Sequence, residues 1–208
     1  DIILDPFCGS GTTLVQSSEL GMHAIGVDIS EFNALISNCK IVRYDLSDIQ
    51  TEINRITTRL KEYLNHSKTT VFEEELMHKL YSFNNRYFPV PDYKYRLRQG
   101  LINEEQYGYE YENKFLPIYN DLLLKYDIHI KQKENNSFLS KWYLQQVRDE
   151  IEIVFEEIQK IENIKTQKIM SLILSRTMRS CRATTHSDLA TLKEPITATY
   201  YCSKHGKI

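Results

Sequence analysis

With 208 residues, 41% of them hydrophobic, the chain is long enough for a sizeable domain, and a formal charge of −2 excludes a uniformly basic nucleic-acid binder. No apolar run reaches the length of a membrane span, no secretory signal pattern is present, and four cysteines without a regular framework point to a reducing compartment; a soluble cytoplasmic protein is expected. The charge is uneven, −4 over residues 1–47, −4 over 48–164 and +6 over 165–208, so the C-terminal end is the candidate phosphate-facing surface, with a solvated tail as the equal alternative.

Ile2-Ile3-Leu4 is a short apolar run of the kind found in a buried parallel strand. Asp5-Pro6-Phe7-Cys8-Gly9-Ser10-Gly11-Thr12-Thr13 follows, and then a helical pattern through Leu14, Val15 and Leu20 that stops at Gly21. A strand, a glycine-rich turn and a helix N-terminus make a ligand cradle, because glycine admits close backbone approach and the first helical amides are unpaired. A second apolar run, Ala24-Ile25-Gly26-Val27, ends in Asp28, 23 residues after Asp5. A carboxylate there can accept hydrogen bonds from a ribose diol. The third glycine of a dinucleotide fingerprint and a Gly-Lys-Ser/Thr phosphate loop are both missing, which favours an adenosine ligand without phosphates, S-adenosylmethionine foremost.

Ser30 is the expected N-cap of a helix over residues 31–39, with Phe32, Leu35, Ile36 and Cys39 facing the sheet. Residues 40–46 read as extended, with Ile41 and Val42 as a short strand, and Ser47-Asp48-Ile49-Gln50 reads as a capping box. The stripe Ile49, Ile53, Ile56, Leu60 and Leu64 predicts a helix broken at residues 65–68, and Phe72, Leu76 and Leu80 predict another over 71–81, stopped by Pro89-Val90-Pro91. Tyr93-Lys94-Tyr95-Arg96-Leu97-Arg98 mixes rings and cations suited to unpaired bases and phosphates, but nearby Glu104, Glu105, Glu110 and Glu112 favour a half-buried strand or loop edge. A helix is expected from Phe115 to Tyr126, a polar turn over 131–136, a long amphipathic stripe from Leu144 to Ile161, and a further helix through Ile169–Ile173 towards Arg179. In the tail, Cys181, His186, Cys202 and His205 are soft ligands in two pairs, but their irregular spacing favours free thiols, and no metal is assigned.

The string from Asp5 to Thr13, followed by Gly26-Val27-Asp28-Ile29, resembles motifs I and II of the amino-group DNA methyltransferases, which modify cytosine N4 or adenine N6. The resemblance implies an α/β fold, a partial Rossmann-like methyltransferase core (N-terminal βαβα) followed by a mainly helical insertion. It divides the chain into a cofactor-binding part at 1–47, a helical insertion at 48–178 and a basic, loop-rich tail at 179–208. It implies S-adenosylmethionine held by Asp5, Pro6, Phe7, Cys8, Gly9, Ser10, Gly11, Thr12, Asp28 and Ile29. Ile29 is the residue placed beside the adenine, with a core position as its alternative.

The family's amine-orienting tetrapeptide, Ser/Asn/Asp-Pro-Pro-Tyr/Phe, does not occur, so no catalytic residue is assigned. The chain opens without methionine, four residues before the cradle, and reads as a fragment that binds cofactor weakly and is inactive alone. The missing tetrapeptide is expected beyond Ile208, the tail resembling the segment that precedes it. DNA is the implied substrate, cytosine N4 ahead of adenine N6, with no membrane and with a restriction or other defence system as the implied partner. An RNA guanine methyltransferase, whose cradle is similar, and a degenerate cofactor-binding subunit are the alternatives.

Overall fold

The computed structural model describes residues 1–65, 67–130, 137–185 and 188–208. Its elements run β1 (Ile2–Asp5), α1 (Thr12–Glu19), β2 (His23–Gly26), α2 (Glu31–Ile41), α3 (Leu46–Asn65), α4 (Lys68–Tyr87), α5 (Asp92–Arg98), α6 (Glu104–Tyr126), α7 (Phe138–Trp142), α8 (Gln145–Gln159) and α9 (Ile164–Ser180). The fold is mixed but mainly helical, and its residues group into two units. One comprises Asp1–Leu60 with Ile151–Arg179, the other Lys61–Glu150 with Ser180–Ile208.

In the first unit β1 and β2 pair in parallel, Ile3 opposite Ala24 and Leu4 opposite Ile25. Partners in a parallel pair share a face, so Ile3 and Ala24 lie on one side and Leu4 and Ile25 on the other. Helix α1 packs on the sheet with Leu14 buried, whereas Ile2, Leu4 and Ile25 are 72%, 64% and 56% exposed. The sheet, two strands among the described residues, is thus covered on one face and bare and apolar on the other. The same unit holds an aliphatic cluster of Ile56, Ile158, Ile161 and Met170, joined by Ile49, Val154 and Leu174 from α3, α8 and α9. Its polar margin is organised by acids: Asp48 accepts from Asn163 (2.9 Å) and Thr166, and the Arg55 guanidinium binds the Glu157 carboxylate and its carbonyl oxygen.

The second unit has an aromatic interior. Phe72, Phe115, Tyr119 and Leu122 pack between α4 and α6, and Phe83 meets Phe115 edge-on with ring centroids 5.0 Å apart. Helix α6 runs through Pro117, which gives up one helical hydrogen bond. A second group of rings surrounds Phe88 and Tyr93, the latter 1% exposed. Tyr93 and Tyr201 hydroxyls bond each other at 2.8 Å, and Tyr201 donates to Glu104 at 2.9 Å. A Cβ on Gly108 of α6 would come within 2.5 Å of the Tyr201 ring, so only glycine lets the C-terminal segment lie this close.

Several expectations are corrected. Val42 forms no strand: α2 continues to Ile41, and the Tyr44 hydroxyl ties back to the Cys39 carbonyl at 2.8 Å. The start of α3 is set by Asp45, not by a box at Ser47: the Asp45 carboxylate accepts from the Ser47 amide (2.9 Å) and from its hydroxyl (2.6 Å). Helix α4 is longer than residues 71–81, because Ser67 caps it by accepting the Thr69 amide. The segment Tyr93–Arg98 is helix α5, not a strand edge; burial of Tyr93 among rings decides it. Helix α6 begins at Glu104, well before Phe115, with Asn103 as its cap. The polar turn expected at 131–136 lies outside the described residues. Among the described residues no helix is long and apolar enough to cross a membrane.

Candidate cofactor cradle

The turn between β1 and α1 is tied to the end of β2 by its backbone. Val27 donates to the Asp5 carbonyl and Cys8 to the Val27 carbonyl, both at 2.9 Å, which extends the parallel ladder past the strands. The Gly11 amide closes the turn on the Cys8 carbonyl at 2.7 Å, and α1 starts at Thr12. Gly9 and Gly11 have φ of 51° and 78°, the left-handed region that favours glycine. Their surroundings differ. A Cβ on Gly11 would meet the Ser37 backbone at 2.9 Å, whereas a Cβ on Gly9 would have no atom within 4 Å. Gly11 therefore admits α2, and Gly9 faces open space.

Asp28 joins the two motifs. Its Oδ2 accepts the Gly9 amide at 2.8 Å, and its Oδ1 accepts the Ser30 amide at 2.9 Å and the Asn33 amide side chain at 3.1 Å. The Ser30 amide first, then Asn33, hold this carboxyl below the usual carboxylate range against the opposing effect of desolvation, and the Gly9 amide adds a lesser lowering. Asp28 is therefore an anion throughout the neutral range. Three donors occupy most of the roughly four acceptor positions of a carboxylate, leaving capacity for about one more.

The expected residues fall into two groups. Pro6, Ser10 and Thr12 are exposed, as are Phe7 at 88% and Ile29 at 104%, so Ile29 is no core residue. Cys8 and Gly11 are buried, and Asp5 turns its carboxylate onto the Phe7 amide at 3.1 Å. Helix α1 has no side-chain cap and no acid in its first turn, so its N-terminal amides and the positive end of its dipole are not neutralised locally.

Two residues of α2 were not foreseen. Ser37, 3% exposed, donates to the Gly9 carbonyl at 3.0 Å, and Asn33 reaches Asp28; with the cap Ser30 they lie three and four residues apart on one helix face. That polar spacing, 30, 33 and 37, was the available signal. Phe32, expected to face the sheet, is 43% exposed instead, since the polar face packs on the turn.

In the second unit a largely apolar cavity of about 420 Å³ is lined by Leu76, Leu80, Tyr119, Leu144, residues 196–200, Cys202, His205, Lys207 and Ile208. On its wall Cys202 Sγ lies 3.3 Å from His205 Nδ1. Burial raises the Cys181 thiol above its ordinary value. His186, the fourth of the soft ligands, lies outside the described residues, and among the described residues no three His, Cys, Asp or Glu side chains gather as a metal cage.

Residues 1–38 match a family described as DNA methylase. The Type II methyltransferase M.MjaII of Methanocaldococcus jannaschii is 39% identical over 212 aligned residues, covering all of this chain and 40% of its own length. The Type II methyltransferase M.BsoBI of Geobacillus stearothermophilus is 36% identical over 93 residues, 41% of this chain and 18% of that protein. A tRNA (guanine(10)-N2)-dimethyltransferase of M. jannaschii is 36% identical over 66 residues, 31% of this chain and 19% of that protein. The chain thus spans less than half the length of these relatives. No solved structure matches.

Proposed function

The chain belongs to the N4/N6 DNA methylase family, and from that premise we propose that residues 1–47 are the S-adenosylmethionine-binding part of a Rossmann-like core in a cytoplasmic enzyme that methylates an exocyclic amine of DNA, cytosine N4 ahead of adenine N6. Residues 48–178 are the helical insertion and 179–208 the tail in this reading. Similarity to Type II methyltransferases also supports a place in a restriction–modification system.

The observation that carries the proposal is the 2.8 Å bond from the Gly9 amide to Asp28, which puts the glycine turn and the second acid on one small site. The surroundings fit an adenosyl ligand. The space beside Gly9 is open, the Asp28 carboxylate retains acceptor capacity for a ribose hydroxyl, and exposed Ile29 offers an apolar flank for a base. The uncapped start of α1 suits a carboxylate such as that of the methionyl group. When bound, the cofactor supplies an electrophilic sulfonium methyl. The cradle's own share of the reaction is to fix the donor in position, a contribution that reaches several kcal/mol in general. The amine-orienting tetrapeptide is not among these residues, and no catalytic role is assigned to any of them.

Calorimetry of the full natural chain with S-adenosylmethionine tests the site. Asp28→Ala, which removes a charged acceptor, is expected to weaken binding by roughly tenfold or more. Equal affinity of the two proteins removes the assignment. The tRNA methyltransferase similarity supports a second reading, methylation of a guanine in RNA. Transfer of a labelled methyl group into DNA but not tRNA is expected; the reverse selects the RNA reading, and cofactor binding without transfer to either selects a degenerate subunit.

A further inference from the structure

We infer that Asn33 is a specificity-determining residue of the cradle: by filling one oxygen of Asp28 it limits this carboxylate to a single hydroxyl of the ribose diol, an inference that rests on the cofactor reading above. The three bonds to Asp28 are divided unequally. Oδ1 accepts twice, from the Ser30 amide at 2.9 Å and from the Asn33 side-chain amide at 3.1 Å, whereas Oδ2 accepts once, from the Gly9 amide at 2.8 Å. Each carboxylate oxygen offers roughly two lone-pair positions, so Oδ1 is saturated and Oδ2 keeps one. A carboxylate with both oxygens open can meet a diol with one oxygen for each hydroxyl. Asp28 can meet it with Oδ2 alone, the oxygen that also holds Gly9.

Two of the three donors are backbone groups held by the fold. Ser30 is the cap of α2, its Oγ accepting the Asn33 amide at 3.3 Å, and its own amide stands two residues from Asp28 along the chain. Gly9 is fixed at both ends, because its amide donates to Asp28 and its carbonyl accepts the buried Ser37 hydroxyl at 3.0 Å. Asn33 differs. It is half-buried in the first turn of α2, and only its side chain reaches Asp28. The number of hydroxyls that Asp28 can accept is therefore set by a side chain and not by the backbone of the turn. The spare position also has room beside it, since Oδ2 is bonded to Gly9, and a Cβ on Gly9 would have no atom within 4 Å.

Calorimetry of the full natural chain with S-adenosylhomocysteine and with its 2′-deoxy and 3′-deoxy derivatives tests this. Loss of a hydrogen bond to a charged acceptor weakens binding by about tenfold or more, so one derivative is expected to fall by that factor and the other to stay within about threefold of S-adenosylhomocysteine. Asn33→Ala opens Oδ1 to the second hydroxyl, and the tolerated derivative should then bind about tenfold more weakly than S-adenosylhomocysteine as well. A purely structural role for Asn33 weakens all three ligands by one common factor and leaves their ratios at the parental values; that result overturns the inference. Comparable tenfold losses with both derivatives in the parental protein overturn it without any variant, since Asp28 then takes both hydroxyls, and so does near-equal binding of all three ligands. Parental protein that binds none of the three removes the cofactor reading itself.

Discussion

In the turn after β1 the polar groups are backbone amides and two carboxylates, Asp5 and Asp28, whereas around Phe88 they are phenol hydroxyls folded inward among rings. The cradle is built of small residues and makes few apolar contacts: Gly9 has open space beside it, and Phe7 and Ile29 are exposed. The tyrosine corner uses up its polar groups within the protein. Tyr93 and Tyr201 satisfy each other, Glu104 and Glu112 hold Tyr201, and the Tyr107 hydroxyl donates to the Tyr87 carbonyl at 2.7 Å. One region keeps acceptor and donor capacity at the surface, and the other converts it into packing. Stability should therefore reside in the second kind of construction and ligand affinity in the first.

The largest effect that separates them is expected from Phe115→Ala. Phe115 is 0% exposed in the aromatic interior, and truncation of such a ring costs about 3–5 kcal/mol. Denaturant unfolding should show that loss while cofactor affinity of the folded protein is unchanged. A loss under about 1 kcal/mol would mean that the aromatic interior is not the main source of stability. Gly11→Ala comes next, at about 1–3 kcal/mol, because a φ of 78° is strained for alanine and the added methyl meets the Ser37 backbone. Here cofactor binding should fall along with stability; retained affinity would break the link between this turn and the ligand.

The smallest effect is expected at alkaline pH. Burial first, then the neighbouring Tyr111, pushes Tyr107 from its ordinary 10.0 to about 12, and burial also raises Tyr93 and Tyr201. Acids raised in the folded state stabilise it below the unfolded value and lose that contribution as pH climbs towards the folded one. The second unit should thus weaken gradually between about pH 10 and 12, followed by tyrosinate absorbance; in the first unit Tyr44, pushed up to about 12 chiefly by burial, adds to the same window, whereas residues 1–43 contain no tyrosine. Tyrosinate appearing in full near pH 10 would show that these hydroxyls are not sequestered.

Much of the cradle was legible because its chemistry is local. A glycine with positive φ, an acid closing an apolar run and a serine cap each act within a few residues, and each leaves its mark in the string Asp5–Thr13 or in Gly26–Ser30. Asn33 and Ser37 were not legible: on a helix, polar residues normally mark the solvated face, and only packing on the turn makes them interior. The same limit hid α5. Alternating Tyr-Lys-Tyr-Arg reads as an edge strand until Phe88 and Tyr201 are known to enclose Tyr93, and Tyr201 comes from a distant part of the chain. The roles of Glu104 and Glu112 are hidden for a like reason, since their hydrogen-bond partner Tyr201 lies about a hundred residues downstream.

The bond between the Gly9 amide and Asp28 also bears on timing. A glycine loop that had to freeze around each arriving molecule would charge that lost freedom to every encounter. Here the chain gives up the freedom once, during folding, and the loop waits already shaped. Capture of a small molecule at this spot should then be governed by diffusion and release by the contacts formed, with no slow rearrangement between them.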